Sequence, residues 1–149
     1  MSVVSTETRP GLRLTILRAL VRGALAKLGR PRATASVVLA DDALLRSLNR
    51  DYREIDKPTD VLSFPLADSA TLADPARRVY LGEIYVSLET ARVQARAARR
   101  PVSREVAHLV IHGVLHLLGY DHRTRAERRR MEAITAELMR GLRVEIGAL

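Results

Sequence analysis

His108-Leu109-Val110-Ile111-His112-Gly113-Val114-Leu115-His116-Leu117-Leu118-Gly119-Tyr120-Asp121-His122 holds all four histidines of the chain. The apolar residues between them, with Ser103 upstream as a candidate cap and Gly119 as a stop, predict a helix reaching about Leu118. His112 and His116 are four residues apart, one turn along the same face, and close enough to share one ion. His108 lies on that face too. It is about 12 Å from His116 along the axis at 1.5 Å per residue. Zn–N bonds are about 2.0–2.1 Å, so the two cannot bind one ion. His108 is therefore assigned to packing or to support of the neighbouring ligands.

The third ligand has to come from beyond the helix. Glycine takes the left-handed conformation that ends a helix and turns the chain back. Past Gly119 the chain can return His122 toward the two helical imidazoles. Three neutral histidines leave one position of a zinc ion open, as catalytic sites require, and that position can take a water. Histidines with ordinary packing roles are the competing reading. It suits a lone histidine better than a triad with a glycine at the turn.

Outward from this segment the chain reads as short strands and helices mixed without strict alternation. Leu14, Leu17, Val21, Leu25 and Leu28 have helical spacing within Leu12 to Leu28, and Gly29 follows as a stop. Ala35 to Ala40 is a Val-containing apolar run, read as a buried strand. Asp41 can cap a helix to about Asn49. The polar stretch Asp51 to Thr59, with Pro58, reads as a loop. Val61 to Phe64 and Val79 to Val86 read as strands, separated by a loop from Asp68 to Arg78. Ser87 can cap a helix to Arg99, and a last helix is expected from Arg125 to about Leu142. The pattern predicts a single α+β domain with a small mixed sheet of about four strands and about five helices. Met1 to Pro10 is a weak first strand or a poorly ordered lead-in.

The 149 residues fit one domain that can bury a core without covalent staples. The absence of cysteine excludes disulfides, thiolate metal sites and cysteine nucleophiles. Any transition metal must be held by His, Asp or Glu. No apolar run approaches the roughly 20 residues of a membrane span. The first ten residues lack the apolar core of a signal peptide, so the cytoplasm is the expected compartment. The net charge of +8 is uneven. Residues 1–91 carry 13 basic and 11 acidic side chains, whereas residues 92–149 carry 12 and 6. A basic half suits a polyanionic partner such as nucleic acid. Of the 25 basic residues 23 are Arg, a skew that genomic base composition also produces.

The H-x3-H-x2-G-x2-H spacing matches the metzincin zinc proteases, which place a general-base Glu directly after the first His. Gly113 stands there and cannot accept a proton. A second polar segment, Asn49 to Pro65, offers Arg53 and Lys57 as phosphate ligands, Arg by its planar fork and Lys as a point charge. Thr59, Asp60 and Ser63 can bond backbone or substrate. A solvated loop with turn chemistry accounts for the same residues.

Together these segments resemble the bacterial YbeY family of zinc-dependent endoribonucleases that mature 16S rRNA. The resemblance rests on Leu48-Asn49, Tyr52-Arg53, Asp56-Lys57-Pro58-Thr59-Asp60-Val61-Leu62-Ser63-Phe64-Pro65, Leu81-Gly82-Glu83-Ile84 and the histidine motif, in order and spacing over roughly residues 35–140. It implies a small mixed sheet with surrounding helices, one Zn²⁺ on His112, His116 and His122, and Arg53 facing the site. It implies catalytic roles for Arg53 and His116. The expected activity is cleavage of single-stranded RNA in 16S rRNA 3′ end maturation and ribosome quality control. Expected partners are the small ribosomal subunit, a ribosomal protein or an assembly GTPase. Glu83 replaces the Asp more usual in the family, and Arg123 to Arg130 is basic where relatives are often acidic. Two other functions fit the residues: a non-catalytic ribosome-assembly factor with a structural metal site, and a zinc protease, which Gly113 disfavours. No general base is evident. Asp121 could orient a histidine or water, or cap the turn, and Asp56, Asp60 and Asp121 are the acidic candidates for a fourth ligand.

Overall fold

A computed structural model of the chain describes residues 2–5 and 13–146, with side chains described between 13 and 143. Four strands form one mixed sheet in the order β1-β2-β4-β3. β1 (Ser2–Ser5) runs parallel to β2 (Ala33–Ala40), with Ser2 opposite Ser36. β2 is parallel to β4 (Val79–Ser87), and β3 (Val61–Pro65) closes one edge antiparallel to β4. The weak first strand expected from the sequence is thus present over Ser2–Ser5, and the rest of that stretch, residue 1 and residues 6–10, lies outside the described residues.

Along β2, Ala33, Ala35, Val37 and Leu39 are buried with half-buried residues between them. This is the period-two pattern of a strand whose two faces differ. Those residues, with Ile84 and Val86 of β4, face the main core. Three long helices contribute to that core: α1 (Leu14–Lys27), α5 (Val102–Leu117) and α6 (Arg125–Ile146). So does α4 (Leu88–Ala98), through Leu88 and Ala91. The other face carries α2 (Asp42–Arg53), whose Leu44, Leu45 and Leu48 close a smaller core with Ala40, Leu62, Phe64 and Tyr85. A single helical turn, α3 (Ser69–Leu72), interrupts the loop read between Asp68 and Arg78, because the Asp68 side chain accepts from Thr71 N.

Three boundaries differ from the sequence reading in ways that matter to the site. Helix α2 does not stop near Asn49 but continues to Arg53, ending at Glu54 in the left-handed conformation. Its last turn is polar because it is mostly exposed, and Tyr52 meets the Phe64 ring edge-on at 5.3 Å. Arg53 therefore sits on a helix rather than in a loop. Helix α5 is not capped by Ser103. It already begins at Val102, and the Pro101 carbonyl accepts from Arg104 and Glu105 without any side-chain cap. Proline suits a helix start because its missing N–H and fixed φ cost nothing there. Helix α6 runs four residues past the expected Leu142, to Ile146.

Candidate metal centre

Helix α5 is the frame of the site. Its buried side, from Val106 through Leu109, Val110, Ile111, Val114 and Leu115 to Leu117, locks it onto the sheet. Close approach to the sheet depends on Gly113, where an added Cβ would stand 2.6 Å from Ile84 Cγ2. Ser63 of β3 ties the same turn by donating to the Gly113 carbonyl at 3.2 Å. With the helix held in this way, His112 and His116 project on one side, their rings 4.6 Å apart and their Nε2 atoms 3.0 Å apart.

The helix ends where the sequence places its stop. Gly119 has φ +95°, a conformation that a side chain would strain. Tyr120 N closes the turn onto the Leu115 carbonyl. Asp121 caps the turn beyond it: its Oδ1 accepts from His122 N at 2.7 Å, and its Oδ2 pairs with Arg123 at 2.6 Å. His122 is returned toward the helix, its ring 5.8 Å from that of His112 and 5.1 Å from that of His116. One ligand-capable atom from each of the three histidines falls within 4.8 Å of the others.

Three convergent imidazole nitrogens fit a divalent transition metal of the zinc type by donor chemistry. The electrostatics agree. Burial, then the neighbouring imidazoles, push His112 down from 6.5 to about 4. Burial first and His122 second also lower His116. Neutral rings are the form that binds a metal. His108 is not part of this group. It is half-buried, with Nδ1 unbonded, and burial lowers its pKa.

The triad lines a cavity of about 360 Å³ with Arg53, Thr59, Asp60, Val61, Ser63 and Pro65. All four residues singled out for chemistry, Arg53, His112, His116 and His122, therefore share one cleft, whereas Lys57 is not among its walls. No hydrogen bond or ion pair engages the Arg53 guanidinium among the described residues. Its charge is felt at His116, where it contributes to the lowered pKa. Asp56, a candidate structural partner for Arg53, is bound instead by Arg46 at 2.8 and 3.2 Å. Asp60 is also committed: Oδ1 accepts from Val61 N at 2.8 Å and Thr59 Oγ1 at 3.4 Å, and Oδ2 from Gln94 at 3.2 Å. None of Asp56, Asp60 and Asp121 joins the metal-competent group. Glu83 stands outside the cavity, where its carboxylate accepts from the Tyr85 hydroxyl and pushes that group up to about 12.

Sequence reading assigned no role to two supporting residues. Gln94 holds Asp60 from α4, across 34 residues. Asn49, buried in α2, donates to the Lys57 carbonyl at 2.9 Å and so shapes the segment leading into β3. The signal available for Asn49 was its place in the Leu48-Asn49 pair that carries the resemblance, and its burial explains why the amide needs a partner. Nothing local marks Gln94.

An α+β domain with three converging imidazoles in a polar cleft, beside an arginine unpaired among the described residues, has the donor set that could hold a metal ion. The family model described as Endoribonuclease YbeY matches residues 11–143, and the chain belongs to that family. It is 43% identical over 142 residues to the Endoribonuclease YbeY of Anaeromyxobacter sp. (strain Fw109-5), covering 94% of this chain and 71% of the relative. The Rhodopseudomonas palustris (strain BisA53) relative is 45% identical over 113 residues, 75% of this chain and 65% of its own length. The Moorella thermoacetica relative is 43% identical over 132 residues, 86% and 85% of the two chains. The solution structure of TM1509 from Thermotoga maritima matches with a TM-score of 0.65 and 26% identity, covering 97% of this chain and 91% of that one.

Proposed function

We propose that this chain is a zinc-dependent endoribonuclease that cuts single-stranded RNA, with His112, His116 and His122 as metal ligands and Arg53 on the scissile phosphate. An enzyme of an endoribonuclease family acts on RNA, and the finer reading concerns how it does so. The observation that carries it is an Arg53 guanidinium without a partner among the described residues, in the same cavity as three convergent histidines. A zinc ion held there supplies Lewis-acid polarisation and water activation.

The chain's own residues do the rest. Arg53, projecting from the last turn of a rigid helix, binds the phosphate in two places through its planar fork and stabilises charge that builds up on the phosphate oxygens. Asp60, pinned by Val61, Thr59 and Gln94, keeps the start of β3 in place below the cleft. Asp121 orients the turn that presents His122. His116 is both a ligand and a histidine whose pKa the Arg53 charge helps to lower.

The substrate assigned to this activity is 16S rRNA at its 3′ end, with a role in ribosome quality control. The partners are then the small ribosomal subunit, a ribosomal protein and an assembly GTPase, in the cytoplasm. This assignment is supported by family membership. No helix among the described residues is long and apolar enough to cross a membrane. A structural metal site in a non-catalytic assembly factor needs a fourth protein ligand, and the commitments of Asp60 and Asp121 speak against one. A protease needs an acidic base where Gly113 packs on Ile84.

The test is elemental analysis of purified protein followed by cleavage of single-stranded RNA, with and without a chelator. One zinc per chain and chelator-sensitive cleavage are expected. Cleavage that survives complete removal of metal would overturn the mechanism.

A further inference from the structure

A second cavity, about 530 Å³, lies between α5 and α6. It is larger than the cavity of the histidine triad, about 360 Å³. Its walls include Arg100, Arg104 and His108 from the α5 side and Glu132, Arg140 and Arg143 from α6. Four arginines and one glutamate are among its lining residues.

The charge at Arg104 is not that of an ordinary solvated surface. Arg104 is half-buried, and its guanidinium makes no hydrogen bond or ion pair among the described residues. The guanidinium of Arg140, at an exposed position, also makes none among the described residues. Half-burying the Arg104 cation without a partner is costly, and genomic preference for Arg over Lys does not explain that placement. Arg100 is neutralised by the buried Glu105, which fixes its guanidinium at the groove wall.

Position gives the groove its meaning. His108 is four residues before the ligand His112, about 6 Å along the helix axis. The groove therefore begins one turn from the metal centre and continues along α5 toward Arg104 and Arg100, away from the triad. Arginine forks are suited to phosphate. We propose that the groove between α5 and α6 is a second phosphate-binding site, holding the backbone of the RNA chain some nucleotides away from the bond cut at the triad. This rests on the RNA-cleavage reading. It adds that substrate length is sensed by Arg104 and Arg140, which touch no reacting atom.

The experiment compares wild type, Arg140→Glu, the double variant Arg104→Gln/Arg140→Gln and the charge-preserving Arg104→Lys/Arg140→Lys, all zinc-loaded. Each is measured for metal content, melting temperature, and binding and cleavage of two single-stranded RNAs. One probe is long enough to reach the groove and the other spans only the scissile bond. The long RNA should bind the Gln variant several-fold more weakly. The slope of log affinity against log salt should fall by about 1.4, at 0.7 per lost contact on a single strand. The short RNA should be cut as by wild type, and the Lys variant should keep the slope. Arg140→Glu, at an exposed position, gives the same reading if the double variant folds poorly. Wild-type protein that cuts RNA while the variants keep full length dependence and salt slope overturns the groove assignment alone. Wild-type protein that neither binds nor cuts RNA overturns the RNA reading and this proposal with it.

Discussion

Gly113 of α5 and Ile84 of β4 are packed so closely that a Cβ on the glycine would lie 2.6 Å from Ile84 Cγ2, with Cγ1 and Cδ1 at 3.1 and 3.2 Å. The position directly after the first metal-site histidine is thus spent on helix–sheet contact. Gly113→Ala should cost about 1–3 kcal/mol by overpacking and lower metal occupancy by shifting His112 and His116. Ile84→Ala, itself destabilising through lost burial, should recover part of the loss in the double variant, because the clash is with its side chain. Thermal melts and metal content of the four proteins form a double-mutant cycle. Strict additivity would mean that the contact does not set the helix position. Gly113→Glu should not confer proteolysis, since the larger side chain meets the same wall.

The triad predicts a sharp division among the four histidines. His116→Ala should lose the metal and the RNA cleavage with it, while His108→Ala keeps most of its metal. The reason is geometric: His116 has a ring nitrogen within 4.8 Å of those of both His112 and His122, and His108 is outside that group. Equal metal loss in the two variants would show that the ligand set is misassigned.

Protonation gives an independent check in the metal-free protein. His112 is lowered to about 4 from 6.5, with burial the largest cause. A histidine whose folded pKa is depressed stabilises the fold fully above the unfolded value near 6.5, and that contribution is lost as pH falls through about 4. His116 and His108 shift in the same direction, again chiefly by burial. NMR titration of the metal-free chain should show the His112 ring still neutral well below pH 6.5, with stability falling over that window. A ring titrating at its ordinary value would mean an open, solvated triad and a weaker metal site.

The basic second half predicts salt-sensitive RNA binding, to which Arg128, Arg129 and Arg130 contribute. All three are exposed on α6. Arg130 also stacks on Tyr120, 5.7 Å from the ring centroid, so it helps hold the turn before His122. Replacing all three with Gln should weaken binding similarly for every RNA sequence, since phosphate contacts carry no base information. Affinity indifferent to both salt and these substitutions would leave the charge as compositional bias.

The histidine motif made most of the site legible because its geometry is local. Four-residue spacing sets two ligands on one helix face, and Gly119 sets the return. The mixed sheet was legible from the apolar strands Ala35 to Ala40 and Val79 to Val86. The features that escaped depend on tertiary contact. The polar last turn of α2 looks like a loop until Tyr52 is seen against Phe64, and that contact decides where Arg53 stands. The first strand is weak in sequence but gains a parallel ladder with β2. Gln94 lies 34 positions from Asp60, and the α5–α6 groove joins residues of separate helices, with no periodic signal to connect them.

Arg53 offers the most discriminating test of the chemistry. Its two structural competitors are excluded as pins: Asp56 is engaged by Arg46, and no carbonyl accepts from the Arg53 guanidinium among the described residues. If the side chain meets the scissile phosphate, two parallel hydrogen bonds are needed there, and Lys supplies only a point charge. Arg53→Lys should then reduce single-turnover RNA cleavage by about 10²–10³, the usual cost of losing one charge-stabilising donor. Zinc content should be unchanged, because Arg53 is no ligand. The melting temperature should move little, because an exposed, unpaired helix-end arginine contributes little to stability. A structural role gives the opposite pattern, with lower melting temperature and activity reduced only in proportion. All three measurements belong on one preparation, so that misfolding cannot pass for lost catalysis. A variant that melts as wild type, keeps its zinc and still cuts RNA at the wild-type rate would falsify the assignment of Arg53 to the phosphate.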